Sequence, residues 1–478
     1  MIELKKVSYS YKPIKDNSDL AIKQVDLKAQ NGSITLVTGT SGCGKSTIIR
    51  LINGLCPNYY GGVVEGDIYI DKKNINKEDI STISSMVGTL FQDPERQFFA
   101  LNVEDEIAFS LQWSGISQEE MKNRVENVIR LFRLENVRKN SVNSLSEGQK
   151  QKLGLASVIA QNVNNIILDE PTANLDPEST KELAEILFDL KKEGYCILVV
   201  DHRLYYLNGI ADSIVIINDG MKVFDGSFAE FEKRNCTNTY GLRKISVEDK
   251  RHQLKKISRK KSNEKTLTDE NTVLKIEGID FSYKNGPNLF HDFSMDIPVG
   301  MHVVTGNNGI GKTTLSRLIF GLEKVREGSI SILDEKKELV KKKDNFKYGA
   351  LVLQNTDYQL NMRTVYDEIN SWCKLNKVKN SEEKIETILK KFGLYELKDR
   401  HPQSLSGGQK QRLVIACALS KEPNLIILDE PTSGLDGNNM QIMKNTLYEY
   451  ATQGKCVILI THDLELMDED YLYEIDLN

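Results

Sequence analysis

Two octapeptides in this chain have the residue types and spacing of a phosphate cradle. Gly39-Thr40-Ser41-Gly42-Cys43-Gly44-Lys45-Ser46 and Gly306-Asn307-Asn308-Gly309-Ile310-Gly311-Lys312-Thr313 both fit G-x-x-x-x-G-K-[ST]. The glycines let successive backbone N–H groups turn toward phosphate oxygens, and the following helix adds its N-terminal dipole. Lys45 and Lys312 would reach the β- and γ-phosphates, and the Ser46 and Thr313 hydroxyls would bind Mg²⁺. Thr47 and Thr314, next in line, are grouped with the loops as nucleotide contacts. Further on, Asp169-Glu170 and Asp429-Glu430 each close an apolar run. The first acid of each pair is placed to hold the Mg²⁺ shell and the second to face an attacking water. His202 and His462 follow at matching places and are candidates for a γ-phosphate contact.

All of these residues follow short apolar runs that read as buried strands. Residues 33–37 and 302–304 lead into the glycine loops, and an apolar, helix-like segment follows each loop. Residues 165–168 and 425–428 end at the acid pairs; 196–200 and 456–460 end just before the histidines. The polar motifs therefore gather at the carboxyl ends of parallel strands, the edge where open α/β sheets bind ligands.

The motifs also occur in the same order twice. The glycine loop returns 267 positions later, whereas Leu145-Ser146-Glu147-Gly148-Gln149, the acid pair and the histidine return 260 positions later. A nearly constant offset of that size means one domain duplicated, with a few residues lost from the second copy. The expected division is 1–240 for the first domain, 241–271 for a charged linker and 272–478 for a second domain with a shortened C-terminal extension. Arg243 to Lys265 carries ten basic residues against three acids without strand-like alternation. It reads as solvated linker, with weak attraction to anionic lipid headgroups as the alternative.

Composition narrows the class. Of 478 residues, 40% are hydrophobic and 27% charged, which excludes a disordered chain. Sixty-three basic residues against 68 acidic ones leave a net charge of -5, with no basic field to suggest nucleic acid. Seven scattered cysteines form neither a metal-spaced pair nor a disulfide pattern. No apolar run is long enough to span a bilayer, and no signal-peptide core follows Met1.

Taken in order, glycine loop, Gln92 or Gln354, Leu-Ser-x-Gly-Gln, Ile-Leu-Asp-Glu-Pro-Thr, x-Leu-Asp and His, the chain resembles the ATP-binding-cassette (ABC) ATPases over nearly its whole length. The resemblance implies an α/β fold of two tandem P-loop NTPase domains. Each would have a mainly parallel sheet core, an antiparallel β subdomain and a helical subdomain. It implies ATP and Mg²⁺ as ligands, Tyr11 and Tyr283 stacking on adenine, and Gln92 and Gln354 sensing Mg²⁺ and the state of the cargo. It further implies Asp176 and Asp436 at a seam where the two cassettes pair head to tail within one chain. One composite site would then combine Lys45, Asp169, Glu170 and His202 with Ser406, Gly408 and Gln409. The other would combine Lys312, Asp429, Glu430 and His462 with Ser146, Gly148 and Gln149.

Within the family, Gln92-Asp93-Pro94-Glu95-Arg96-Gln97-Phe98-Phe99 followed by residues 103–109 resembles the Q-loop stretch of energy-coupling-factor (ECF) importer ATPases, a group similar to those serving cobalt and nickel uptake. In that group the stretch receives a helix of a membrane T-component, with a separate S-component selecting the cargo. Phe98 and Phe99 beside Glu104, Asp105 and Glu106 suit an amphipathic helix carrying Arg; the bland alternative makes both rings part of the helical core. Copy two has Leu360-Asn361-Met362 in that place. The implied location is peripheral, at the cytoplasmic face of the cell membrane. Two other readings compete: a fused sugar-importer ATPase, and a soluble ribosome-associated ATPase of the ABC-F type.

Glu147 departs from the family pattern, which prefers Gly there. A carboxylate near the triphosphate of the Lys312 site would weaken it by about 1 kcal/mol. Both sites are expected to hydrolyse, the Lys312 site more slowly. In single-turnover hydrolysis, Glu170→Gln, which leaves the Lys312 site, should retain less activity than Glu430→Gln. Equal residual rates would remove the asymmetry.

Overall fold

The computed structural model describes residues 1–12, 20–112, 114–257, 271–284, 286, 288–306, 309–334, 338–340, 344–378, 381–469 and 472–477. The chain divides into two compact units, the first holding Met1–Val247 and the second beginning at Glu248.

The first unit is built on a six-stranded sheet in the order Met221–Gly226, Ser213–Asn218, Ser33–Thr38, Cys196–Val200, Asn165–Asp169, Val87–Leu90. All neighbours are parallel except the edge pair formed by the first two strands. These strands read as unbroken apolar runs because both faces are buried. In Cys196–Val200, Ile197 and Val199 join one core, and Cys196, Leu198 and Val200 join the other. The first core is shared with a helical subdomain containing Val103–Phe109, Gln118–Leu131 and Glu147–Ala160. The second lies under an antiparallel sheet ordered Ile22–Ala29, Ile2–Ser10, Val63–Ile70, Lys73–Asn74.

The second unit repeats the plan. Its central sheet runs Lys255–Lys256, Leu472–Asp476, Gly300–Thr305, Cys456–Ile460, Leu425–Asp429, Gly349–Val352, every neighbour parallel. Alternation recurs: Val457 and Leu459 face one core, Cys456, Ile458 and Ile460 the other. The antiparallel sheet is Asn288–Pro298, Thr272–Ser282, Glu327–Ile332, and Val365–Leu375, Ser381–Lys391 and Gly407–Ser420 form the helical part.

The segment 241–271, expected to be linker, is divided among three fates. Leu242 and Ile245 are buried in the first unit's core. Lys255–Lys256 forms an edge strand on Leu472–Asp476, with Ile257 N–H donating to the Glu474 carbonyl at 2.8 Å and Lys256 Nζ to Asp476 at 2.8 Å. Residues 258–270 lie outside the described residues. A two-residue strand has no alternation to read, so sequence pattern could not mark it. The second copy is also less trimmed than expected: Leu472–Asp476 takes the place that Ser213–Asn218 has in the first sheet. All seven cysteines are buried free thiols. No helix among the described residues is long and apolar enough to cross a membrane.

Each unit has a glycine where the antiparallel sheet shifts register. A Cβ on Gly66 (φ +83°) would lie 2.4 Å from the Lys6 carbonyl oxygen, and one on Gly328 (φ +82°) 2.2 Å from that of Gly278. Both backbone strain and overlap oppose a side chain there. Gly66→Ala and Gly328→Ala should each destabilise by about 2 kcal/mol or more and lower the first thermal transition by several degrees. An unchanged midpoint in calorimetry would exclude this close approach.

Candidate nucleotide sites

The glycine loops sit where the sequence pattern required, between a central strand and a helix. Gly44 (φ 108°) and Gly311 (φ 110°) turn the chain into Lys45–Ile52 and Lys312–Ile319. A Cβ on Gly44 would meet the Ala21 carbonyl oxygen at 2.9 Å, which explains why only glycine fits. Lys45 Nζ donates to the carbonyls of Gly39 and Thr40, both at 2.9 Å, and Lys312 Nζ to that of Gly306 at 2.7 Å. Each ammonium is thus folded over its own loop, at the mouth that a phosphate would occupy. Gly309, Ile310 and Gly311 complete the second loop; Asn307 and Asn308 lie outside the described residues.

The acid pairs end neighbouring strands. Asp169 is in register with Val200, which is in register with Val37, the last apolar residue before the first loop. Glu170 and Glu430 depart from ordinary backbone geometry, at φ 45° and 46°. Their N–H groups donate to Val200 O at 2.7 Å and Ile460 O at 2.8 Å, which pins each turn to the adjacent strand. Positive φ at a non-glycine residue is a strained state that packing must hold, and such states concentrate at functional sites.

In the first unit Glu170 meets two other sequence candidates. Gln92 Nε2 donates to its Oε2 at 2.9 Å, and His202 Nε2 lies 3.6 Å from its Oε1. Burial, reinforced by Asp169, pushes Glu170 up to about 8, while Lys45 opposes the shift. Burial likewise raises Asp169 to about 6 and holds the His202 imidazole well below its ordinary value, where nearby Lys45 also disfavours its charged form. A carboxyl group raised toward neutrality beside a neutral imidazole suits proton handling near a reacting phosphate.

The second unit reaches the same layout by other bonds. Thr313 Oγ1 donates to Asp429 Oδ2 at 2.8 Å, joining the two groups expected to hold a metal. A hydroxyl and a single carboxylate are the hard oxygen ligands Mg²⁺ accepts when phosphates complete its shell. Bound there with a triphosphate, Mg²⁺ would neutralise charge on the phosphoryl oxygens. Glu430 accepts from Thr461 Oγ1 at 3.2 Å; the hydroxyl also accepts from Asp463 N–H at 3.1 Å. Gln354 is exposed and His462 partly exposed. The first unit has Asp201 where the second has Thr461. This buried carboxylate accepts from Thr172 Oγ1 at 2.8 Å, Tyr206 OH at 3.0 Å and Arg203 N–H at 2.9 Å. Comparing the copies at the 260-residue offset would have singled out Thr461 and Asp201; each copy read alone gave no signal.

The ABC transporter family model matches residues 22–173 and 290–433, one range in each unit. The chain belongs to the ABC transporter ATP-binding family. A Treponema denticola protein with the provisional name of ABC transporter ATP-binding protein is 33% identical over 98% of this chain and 93% of its own length. A Bacillus subtilis protein, provisionally named the HMP/thiamine import ATP-binding protein YkoD, is 32% identical over 98% of this chain and 88% of its own. Among solved structures, archaeal ABCE1, a ribosome recycling factor seen in complex with stalk protein aP1, matches at a TM-score of 0.62. It is 20% identical and covers 97% of this chain and 85% of that one, a likeness of fold.

The other candidates of these two cassettes fall around the loops. Tyr11 OH is 3.1 Å from Thr47 Oγ1 and Tyr283 OH is 3.4 Å from Thr314 Oγ1, so each ring stands beside its phosphate-loop helix. Ser146 and Ser406 cap the helices Glu147–Ala160 and Gly407–Ser420. Their Oγ atoms accept from Gln149 and Gln409 N–H, and those glutamine side chains accept from the serine N–H groups in return. Gly148 is pressed against Ser179, where a Cβ would lie 2.5 Å from the hydroxyl.

Glu147 is not a free charge: Lys150 Nζ reaches it at 2.9 Å and also pairs with Glu95, in the segment after Gln92. Lys410 makes the matching link to Asp357 at 2.7 Å. The penalty assigned to Glu147 is reduced accordingly. The acids after Gln92 also differ from expectation. Glu106 is 3% exposed and accepts from the N–H groups of Phe99 and Ala100 at 2.8 and 2.7 Å. Glu104 is held by Arg138 through bonds of 2.8 and 2.6 Å. Neither is available to an incoming Arg, because an N–H pair or a guanidinium within the chain already satisfies it.

Thr461→Val should remove one bond to Glu430. In a Glu170→Gln chain, where the second acid pair is left to work, steady-state ATP hydrolysis should fall about two- to tenfold. In a Glu430→Gln chain it should not change. Equal effects in both backgrounds would show that Thr461 acts on the whole protein rather than on Glu430.

Proposed function

We propose that this chain is the ATP-hydrolysing energy-coupling subunit of an ABC importer of the ECF type. One feature carries the reading. Seven and nine positions after Gln92, whose amide holds Glu170, the chain presents Phe99 and Leu101 at 74% and 83% exposure, with Phe99 stacked on Phe109 at 5.3 Å. Buried Glu106 fixes the backbone that holds these side chains outward, while Phe98 packs inward. An apolar ledge built on a rigid turn suits the apolar face of a partner helix. A helix pressed onto that ledge would act on the turn that also aims Gln92. The import role in the name of the Bacillus subtilis relative supports the same reading.

In this reading the two cassettes pair head to tail. Each ATP lies between one glycine loop and the other cassette's Ser146 or Ser406 helix. Lys45 and Lys312 bind phosphates, and Ser46, Thr313, Gln92, Gln354, Asp169 and Asp429 hold Mg²⁺. Glu170 and Glu430 orient or deprotonate water, and His202 and His462 contact the γ-phosphate. The chain sits at the cytoplasmic face of the membrane against a T-component, and an S-component selects the cargo.

Lys45→Ala combined with Lys312→Ala should abolish both hydrolysis and uptake; surviving uptake would refute the coupling role. Phe99→Asp with Leu101→Asp should abolish co-purification with an integral membrane partner in detergent while leaving the melting transition in place. Co-sedimentation of the unaltered chain with ribosomes at moderate salt, without any membrane partner, would replace the importer reading with the ribosome-associated one.

A further inference from the structure

The few residues that copy two lacks are largely accounted for by one turn. Five more positions separate Lys45 from Gly66 than separate Lys312 from Gly328. The two glycines hold equivalent places against the antiparallel sheet. The extra length is spent on a turn carrying Tyr59 and Tyr60, at 74% and 43% exposure, before Gly61 and Gly62. In the second copy no aromatic residue lies between Phe320 and Gly328.

The turn is fixed beside the first glycine loop. Tyr9 OH donates to the Gly61 carbonyl at 2.6 Å. Arg50, on the phosphate-loop helix, donates from Nη1 to Tyr11 OH at 3.0 Å and lays its guanidinium over the Tyr60 ring at 4.5 Å. Tyr60 stands at right angles to Tyr11, with centroids 6.4 Å apart at 89°, and Tyr59 backs it edge-on at 5.0 Å. Tyr11 itself touches Thr47, two residues beyond Lys45. Two exposed rings thus meet in a corner above the start of the phosphate helix, with one cation tying them together. In the second copy the Phe281–Tyr283 pair repeats Tyr9–Tyr11, and nothing aromatic from that turn adds to it.

We infer that Tyr60, backed by Tyr59 and Arg50, is a second wall of the base subsite of the first cassette, and that it gives this cassette a firmer hold on the adenine of ATP than the second cassette has. A flat heteroaromatic base lying on one ring meets the other edge-on, an arrangement aromatic pairs favour. The phosphates remain the business of the glycine loop. The inference rests on ATP binding by the first loop and is independent of the importer reading, since binding can be measured without any membrane partner.

The test uses the full chain with Lys312→Ala, so that only the first loop keeps its lysine. Binding of Mg-ATP and of inorganic tripolyphosphate is measured by calorimetry. Tyr60→Ala should weaken ATP three- to tenfold and leave tripolyphosphate within twofold, and Tyr60→Phe should keep the ATP affinity. Unchanged ATP affinity in Tyr60→Ala, or an equal loss for tripolyphosphate, overturns the inference. So does unchanged ATP affinity accompanied by loss of membrane association, which would make the turn a docking surface. Failure of the parent chain to bind ATP at all would strike the nucleotide-site assignment itself.

Discussion

A strand buried on both faces has only its ends free to carry polar chemistry. In each unit the strands that end at the glycine loop, the acid pair and the histidine alternate their side chains between two apolar cores. Their parallel register then brings Val37, Asp169 and Val200 to one level in the first sheet, and Val304, Asp429 and Ile460 to one level in the second. The bond from the Glu170 or Glu430 N–H to the next strand locks the acid at that level despite its strained backbone. Phosphate loop, acids and histidine share an edge because the sheet leaves them nowhere else to go.

Duplication let the two copies satisfy that constraint with different side chains. The second acid is steadied by Gln92 in one unit and by Thr461 in the other. The residue before the histidine is a buried acid with three donors in one unit and a hydroxyl in the other. A Gln92 contact ties the first acid to a segment that ends in exposed apolar side chains; a Thr461 contact ties the second to the sheet itself. The two cassettes therefore hold the second acid by different contacts, although their backbones follow one plan.

Charge in the helical subdomains serves positioning more than attraction. Glu106 and Glu368, buried at equivalent places, bind backbone N–H groups of the loops after Gln92 and Gln354. Gln97 and Gln359 repeat this, each accepting from one backbone N–H and donating to one carbonyl. Lys150 and Lys410 link the helices that follow Ser146 and Ser406 to the same loops. An acid-rich stretch read as bait for a basic helix is, for Glu104 and Glu106, internal scaffolding.

The sequence by itself determined the duplicated α/β plan, the two glycine loops, the acid pairs and the histidines. Each is a local pattern whose backbone or apolar periodicity forces its conformation. Only tertiary structure decided which acids were free and which were spent, because Glu106 and Glu104 meet their partners across a turn and between elements, and the Lys150 that pairs with Glu147 on its own helix also reaches Glu95. The same holds for Lys255–Lys256, a strand too short to show a period until Leu472–Asp476 offered it an edge. It holds too for the corner of Tyr11 and Tyr60, whose rings lie far apart in sequence and meet because Arg50 and Tyr9 draw the inserted turn onto the phosphate-loop helix.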